Sequence, residues 1–281
     1  MSGSPTGATR VACIIGWPAS HSLSPVIHNA AFAAAGLDWV YVAFPVAPDD
    51  VAAAVTGMRA LGIAGANVTM PHKRAVMALM DELTPAAERI GAVNTIVANG
   101  GTLIGDNTDG AGLVAFLTGE AGFDPAGRRV TLLGAGGAAR AVAVALADAG
   151  SRVRIAARRA GAVSEVAALC AGEVVPWDAR GEAAAQSDLI VNATPVGADG
   201  EGSPLEAGDL PTTATIVDLL YSPAETPLLR AAAARGLPAH NGLGMLVHQA
   251  ALAFEQWTGT PAPVDAMAAA VRARTAAKPS L

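Results

Sequence analysis

The chain of 281 residues is 52% hydrophobic, 15% charged and 4% aromatic with a net charge of -6, enough apolar mass for two domains, each with its own core. No apolar run reaches the roughly 18 residues a membrane span requires, no HxH or HxxxH spacing supports a metal site, and the mild acidity without a basic run argues against a nucleic-acid partner. The opening MSGSPTGATR has no apolar targeting segment, and Cys13 and Cys170 stand singly in apolar stretches, so a reducing cytoplasm is the expected compartment.

After a leader of about ten residues expected to be disordered, VACIIG at 11–16 predicts a short buried strand. Ser24 with Pro25 behind it predicts an N-cap and first helical position, opening a helix through Ala35 that Gly36 stops. WVYVAFPV predicts a strand, and VAAAVTGMRALG an amphipathic helix closed by Gly62. In GANVTMPHK, residues 65–73, Val68 and Met70 alternate with Asn67 and Thr69. That pattern predicts a strand with one apolar side, and with an amide, a hydroxyl and, past Pro71, the Lys73 ammonium turned toward a polar cavity. A helix is expected from about Pro71, then a hairpin over GAVNTIVANGGTLIG.

From Gly112 the texture becomes helical, and residues 128–159 read as a βαβ unit. VTLL is its first strand, Gly134, Gly136 and Ala139 form a GxGxxA turn, Gly150 closes the helix and VRIA is the second strand. Small residues at this turn, Gly134, Ala135, Gly136, Gly137 and Ala138, let the backbone approach a pyrophosphate whose charge the helix N-terminus stabilises. Where an NAD site puts an acid on the ribose, this chain has Ala157, Arg158 and Arg159. No carboxylate stands there to repel a 2'-phosphate and two guanidiniums stand ready to clamp one, so NADP is the expected cofactor. DLIVNAT and TIVDLLY predict further strands, and the tail from Leu243 is helical.

The motifs HSLSP (21–25), GANVTMPHK, GAVNT (91–95), GDNTDGAG (105–112), GAGGAAR (134–140), NATPVG (192–197), DLLYSP (218–223) and GLGMLVHQAALAFEQWTG (242–259) cover nearly the whole chain. In this order they resemble the shikimate dehydrogenase family. The resemblance implies an α/β fold of two domains. The first is a substrate-binding domain over 1–111, completed by C-terminal helices from 243–281 that cross back onto it, and the second is a Rossmann-type NADP-binding domain over 112–242. It also implies reversible NADPH-dependent reduction of 3-dehydroshikimate to shikimate, by a monomer or homodimer that needs no metal.

Carried onto this chain, the resemblance makes Lys73 the group that protonates the nascent alkoxide. Asp109 keeps that ammonium charged and oriented; the same carboxylate also suits the N-cap of the following helix. Ser22 and Ser24 match the pair that binds the substrate carboxylate, while Thr69, Asn94 and Gln249 match residues that read ring hydroxyls. Tyr221 either closes over substrate or plugs an interdomain seam. Thr194, in the turn with Pro195 and Gly197, lies along the cofactor, and Gly242 and Met245 on its nicotinamide side. His21, His28, His72 and His248 are read as structural. The chain departs from the family pattern at Ala157 and Arg159, where members commonly show Asn and Thr around the arginine, and at Asn241, where many have Asp. A quinate, aminoshikimate or broad quinate/shikimate dehydrogenase remains the near alternative. A non-catalytic sensor is opposed by the presence of both Lys73 and Asp109, and a methylene-tetrahydrofolate dehydrogenase by the Ser-x-Ser motif and Gln249.

Overall fold

The computed structural model describes residues 4–276. Two compact units divide it, one ending at Thr108 and resuming at Val247, the other spanning Asp109–Leu246. The first unit contains β1 (Arg10–Gly16), α1 (Ser24–Ala34), β2 (Trp39–Pro45), α2 (Val51–Ala60), β3 (Gly65–Val68), β4 (Glu82–Leu83), α3 (Pro85–Ile90), β5 (Thr95–Asn99) and β6 (Thr102–Asp106). Its sheet has the order β2-β1-β3-β5-β6-β4. The first three of these run parallel, and β5 is antiparallel to both its neighbours. Ala12 through Ile15 in β1 are all buried, as a strand covered on both faces requires. The expected hairpin closes through Gly100 and Gly101 at φ 59° and 93°, a pair of left-handed positions that turns two strands most tightly.

The second unit is wound on six parallel strands. It contains α4 (Asp109–Gly119), β7 (Arg129–Leu133), α5 (Gly137–Asp148), β8 (Arg152–Ala156), α6 (Ala160–Cys170), β9 (Glu173–Val175), α7 (Arg180–Ala185), β10 (Leu189–Asn192), β11 (Thr215–Asp218), α8 (Pro227–Ala234) and β12 (Ala239–His240). The sheet order β12-β11-β10-β7-β8-β9 reverses between β7 and β10. In a doubly wound sheet that reversal is where ligands bind, outside the carboxyl ends of the strands. Val130, Leu132, Leu189, Val191 and Val217 fill one face of the sheet and Leu133, Ile190 and Ile216 the other.

The chain returns to the first unit through α9 (Leu243–Thr258), followed by α10 (Val264–Ala276), which packs on α1. The return is fixed by Trp257, whose indole N–H donates to the Ile96 carbonyl at 3.0 Å while its ring lies on Gly65 of β3. A Cβ at Gly65 would stand 2.2 Å from the indole nitrogen. Beside it, His28 stacks on Tyr41 with centroids 4.4 Å apart and approaches Trp257 at 5.0 Å. One oxygen joins these elements: Asn67 Oδ1 accepts from the Tyr41 hydroxyl at 2.7 Å and meets His28 Nε2 at 3.2 Å. The Asn67 Nδ2 donates across to Asn94 O and Thr95 Oγ1. Since Oδ1 only accepts, His28 carries its hydrogen on Nε2.

Several local expectations give way to packing. Ser24 is the first residue of α1 rather than its N-cap; Leu23 holds that place with no side-chain cap bond, and the Val26 and Ile27 N–H groups that a capping Ser24 hydroxyl would accept go instead to the Leu23 carbonyl at 3.0 and 3.1 Å. β3 stops at Val68, so the alternation fails beyond it and Met70 is 75% exposed. No α-helix starts at Pro71; the chain turns through Thr69–His72, closed by His72 N–H to Thr69 O, and makes only a 3-10 turn at Ala75–Leu79. The fourth helix begins at Asp109, before Gly112. In the leader, residues 1–3 lie outside the described residues, while Thr9 Oγ1 donates to Asp38 at 2.7 Å and receives the Thr6 N–H, which ties residues 6–9 to the unit.

Two outcomes follow from this packing. Gly65→Ala must displace the Trp257 ring, and urea unfolding should show a loss of about 1–3 kcal/mol, the cost of overpacking a filled core. His28 is fully buried and its pKa is pushed down to about 3 by that burial, against an ordinary 6.5, with the Asn67 bond opposing. The folded chain therefore keeps this ring neutral where the unfolded chain takes up a proton. Stability is complete above about pH 6.5 and is lost progressively as pH falls toward 3. Between pH 6.5 and about 5, wild type should lose about 2 kcal/mol more than His28→Leu; parallel pH profiles would contradict the assignment.

Candidate active site

At the carboxyl end of the first unit's sheet, polar side chains gather around Asn94. Its backbone is held by both flanking elements: Val68 N–H donates to Asn94 O at 2.7 Å and Val93 N–H to Lys73 O at 2.8 Å, so residues 68, 73 and 94 are set by main-chain bonds. The Asn94 carboxamide is oriented by the Thr108 N–H on Oδ1 at 2.8 Å, joined by the Thr95 hydroxyl at 2.9 Å. That leaves Nδ2 to donate to Thr108 Oγ1 at 3.0 Å and to Gln249 Oε1 at 3.3 Å. The longer bond to Gln249 is the one a ligand hydroxyl can replace at least cost. Asn94 and Gln249 are buried, and Thr69 and Lys73 half-buried, so this part of the expected set is brought together.

Ser22 and Ser24 stand at the start of α1. Ser22, half-buried, receives the Ser24 N–H and keeps its own hydrogen for another acceptor, while Ser24 is only 3% exposed. Below Lys73, the His72 ring bonds Val46 O at 2.7 Å, which anchors the turn carrying the ammonium. Asn67, by contrast, has both ends of its amide engaged in the core, so its role is to support β3 and β5 and not to meet a ligand.

In the second unit, Gly134 has φ 117°, a left-handed region open to glycine. A Cβ there would stand 2.7 Å from Ala193 O. The turn after β7 is thus pressed onto the turn after β10. Gly136 is exposed, and a Cβ built on it meets nothing within 4 Å; α5 begins directly behind it with no side-chain cap, leaving helix N–H groups for an anion. Ala135, Gly137 and Ala138 line the same turn. At the end of β8, Arg158 and Arg159 are both exposed, ahead of the uncapped start of α6. A close backbone, open space at the helix N-terminus and two exposed cations at the next strand end fit a phosphorylated dinucleotide.

The remaining expected residues divide. Thr194 gives both its hydrogens to Asn192 Oδ1, at 3.0 Å from nitrogen and 2.7 Å from the hydroxyl, so it has none left to donate to a cofactor. Met245 lies in the apolar core with Leu113 and Phe116. Gly242 passes so close to Leu219 that a Cβ would sit 2.1 Å from its carbonyl oxygen. Asn241 accepts the Leu243 N–H and donates to Ala224 O; an aspartate there would keep the first bond and lose the second. Tyr221 is half-buried with its pKa raised by burial, and Asp109 is buried as the first residue of α4. Sequence reasoning passed over Thr95, Thr108, Asn192 and Asp218. The signal was present in NT, NTD, NAT and DLL, polar residues at the first position of β5, just beyond β6 and at the last positions of β10 and β11.

Comparison with known proteins meets this geometry at both ends. The shikimate dehydrogenase substrate binding domain model matches residues 14–96 and the shikimate 5'-dehydrogenase C-terminal domain model residues 242–272. Relatives named shikimate dehydrogenase (NADP(+)) from Geobacter sp. (strain M21) and Citrifermentans bemidjiense are 46% and 47% identical, each over 96% of this chain and 97% of the relative. The crystal structure of shikimate 5-dehydrogenase from Thermus thermophilus, in complex with NADP(H) and shikimate, has a TM-score of 0.88 at 38% identity, covering 94% of this chain and 99% of that one. With identity of this level spread over almost its entire length, the chain belongs to the shikimate dehydrogenase family.

Proposed function

We propose that the chain is an NADP-dependent shikimate dehydrogenase, catalysing reversible reduction of 3-dehydroshikimate to shikimate. The observation that carries the reading is the set of buried hydrogen-bonding groups around Asn94, with Gln249 and the Lys73 turn, in a chain whose second unit has the cofactor turn and arginines just described. NADPH, when bound, supplies the hydride.

The chain's own groups do the rest. Ser22 and Ser24 hold the ring carboxylate at the start of α1, Ser22 through the hydrogen it has not committed within the turn. Thr69, Asn94 and Gln249 bind ring hydroxyls. Lys73 gives its proton to the oxygen that becomes the new hydroxyl, and takes one back in the oxidative direction. Asp109, the first residue of α4, is the carboxylate that partners Lys73 in the proposed catalytic pair. Gly134 through Ala138 admit the pyrophosphate, and Arg158 with Arg159 binds the 2'-phosphate. Thr194 and Gly242 shape the cofactor surface by backbone position. A preference for quinate is not supported by any feature of the site, and the first relatives are named for shikimate and NADP.

Initial rates with shikimate or quinate against NADP or NAD test the assignment. Wild type should oxidise shikimate with NADP most efficiently, and Arg158→Ala should raise KM for NADP on the order of 10–100-fold, the worth of one charged hydrogen-bonding partner, while changing KM for NAD little. Equal effects on both cofactors would remove the phosphate clamp. A wild type that oxidises only quinate, or neither acid, would overturn the function.

A further inference from the structure

The carboxyl ends of β10 and β11 carry a buried polar chain that the catalytic scheme leaves unused. Asn192 and Asp218 are register partners at the last position of their strands, and both are fully buried. Asn192 Nδ2 donates to Asp218 Oδ1 at 3.0 Å, where the Leu220 N–H also arrives at 3.1 Å. Asp218 Oδ2 receives the Thr226 hydroxyl at 2.7 Å, and Thr226 is in turn the N-cap of α8. On the other side, Asn192 Oδ1 takes both hydrogens of Thr194, whose oxygen receives the Val196 N–H at 3.2 Å. The run Thr226–Asp218–Asn192–Thr194 thus ties three segments through side chains, beside the strand pairing of β10 and β11: the turn after β10, the turn after β11 and the start of α8.

Polarity runs one way along it. Asp218 faces three donors and no acceptor, which only a carboxylate satisfies on both oxygens. Burial raises its pKa above the ordinary carboxylate value, and the bonds from Thr226, Leu220 and Asn192 oppose that rise. Its acceptance of the Asn192 amide decides which end of Asn192 is oxygen, and that oxygen decides where the Thr194 peptide lies. The peptide's position reaches the cofactor turn directly, since Gly134 rests on Ala193 O and Thr194 N, at 2.7 and 3.3 Å from where its Cβ would be.

We infer that Asp218 is a positioning residue for the dinucleotide: through Asn192 and Thr194 it sets the surface against which the Gly134 turn packs, and so sets the shape of the pyrophosphate site. The inference rests on the reading of this unit as the NADP-binding one. Because Asp218 sits at a strand end outside the glycine motif, it governs cofactor affinity without touching the cofactor. Asp218→Asn keeps the shape of the side chain and replaces one acceptor with a donor: at the Oδ1 position it faces the Asn192 amide and the Leu220 N–H, and at the Oδ2 position it reverses the Thr226 bond and turns that hydroxyl's hydrogen away.

The test is NADP titration by calorimetry on wild type, Asp218→Asn, Thr194→Val and the double variant, with KM for shikimate measured at saturating NADP and thermal unfolding measured without ligand. Asp218→Asn should weaken NADP binding roughly tenfold while KM for shikimate stays within about twofold. The double variant should bind no more weakly than the worse single variant, because both act through the same turn. A variant that is less thermostable yet binds NADP as wild type does would reduce Asp218 to a structural residue and overturn the inference, as would effects of the two substitutions that multiply. Wild type that binds no NADP would sink the functional reading itself, a result distinct from either.

Discussion

A buried amide must place every hydrogen and lone pair it has, and that constraint arranges the carboxyl ends of both sheets. In the first unit Asn67 satisfies it by taking hydrogens from Tyr41 and His28 and giving its own toward β5; in the second Asn192 does so between Thr194 and Asp218. Each removes a costly orphan, since an unsatisfied buried group destabilises by about 1–3 kcal/mol, and each leaves the alternative arrangements of its turn with an orphan of their own. The turns that carry the proposed site residues are therefore held from beneath by side chains already bonded within the fold. Site residues on rigid strand ends need that support if their geometry is to be ready before substrate arrives.

Charge is distributed to the same end. The interior beneath the substrate side is polar yet neutral: His28 is kept uncharged by burial, and burial also pushes the Cys13 thiol up to about 12. Lys73 stands at the rim of this neutral layer, half-buried on a turn fixed by His72 below and by Val93 from the side. In the second unit the cations Arg158 and Arg159 are exposed instead, so the proposed phosphate clamp carries no cost of burying an arginine beforehand.

The second unit's βαβ core was legible because its signals are local: an apolar run, a glycine turn and a helix of alanine and valine follow one another within 32 residues. The hairpin at Gly100 and Gly101 was legible for the same reason. Misreadings fall where tertiary packing overrides a short pattern. Met70 continues the alternation of β3 in sequence, but the strand ends at Val68 and the chain turns back to meet His72, so Met70 points out. Ser24 satisfies the rule for a cap, yet the helix starts one residue earlier and the Leu23 carbonyl takes the Val26 and Ile27 N–H groups. The site was legible as a list of residue types. What the chain could not reveal was where each hydrogen goes: that Thr194 has already given both of its own to Asn192, or that Asn94 shares one with Gln249, 155 positions away.

The central claim is that Lys73 supplies and removes the proton in shikimate oxidation by NADP. Its most direct test is the turnover of Lys73→Ala beside wild type, with NADP affinity and thermal unfolding measured on the same preparations. Turnover should fall on the order of 10²–10⁴-fold, the contribution of a positioned acid and base, while NADP binding and the unfolding midpoint stay close to wild type. A loss of less than about tenfold in a folded, NADP-binding variant would assign the proton to another group and contradict the mechanism.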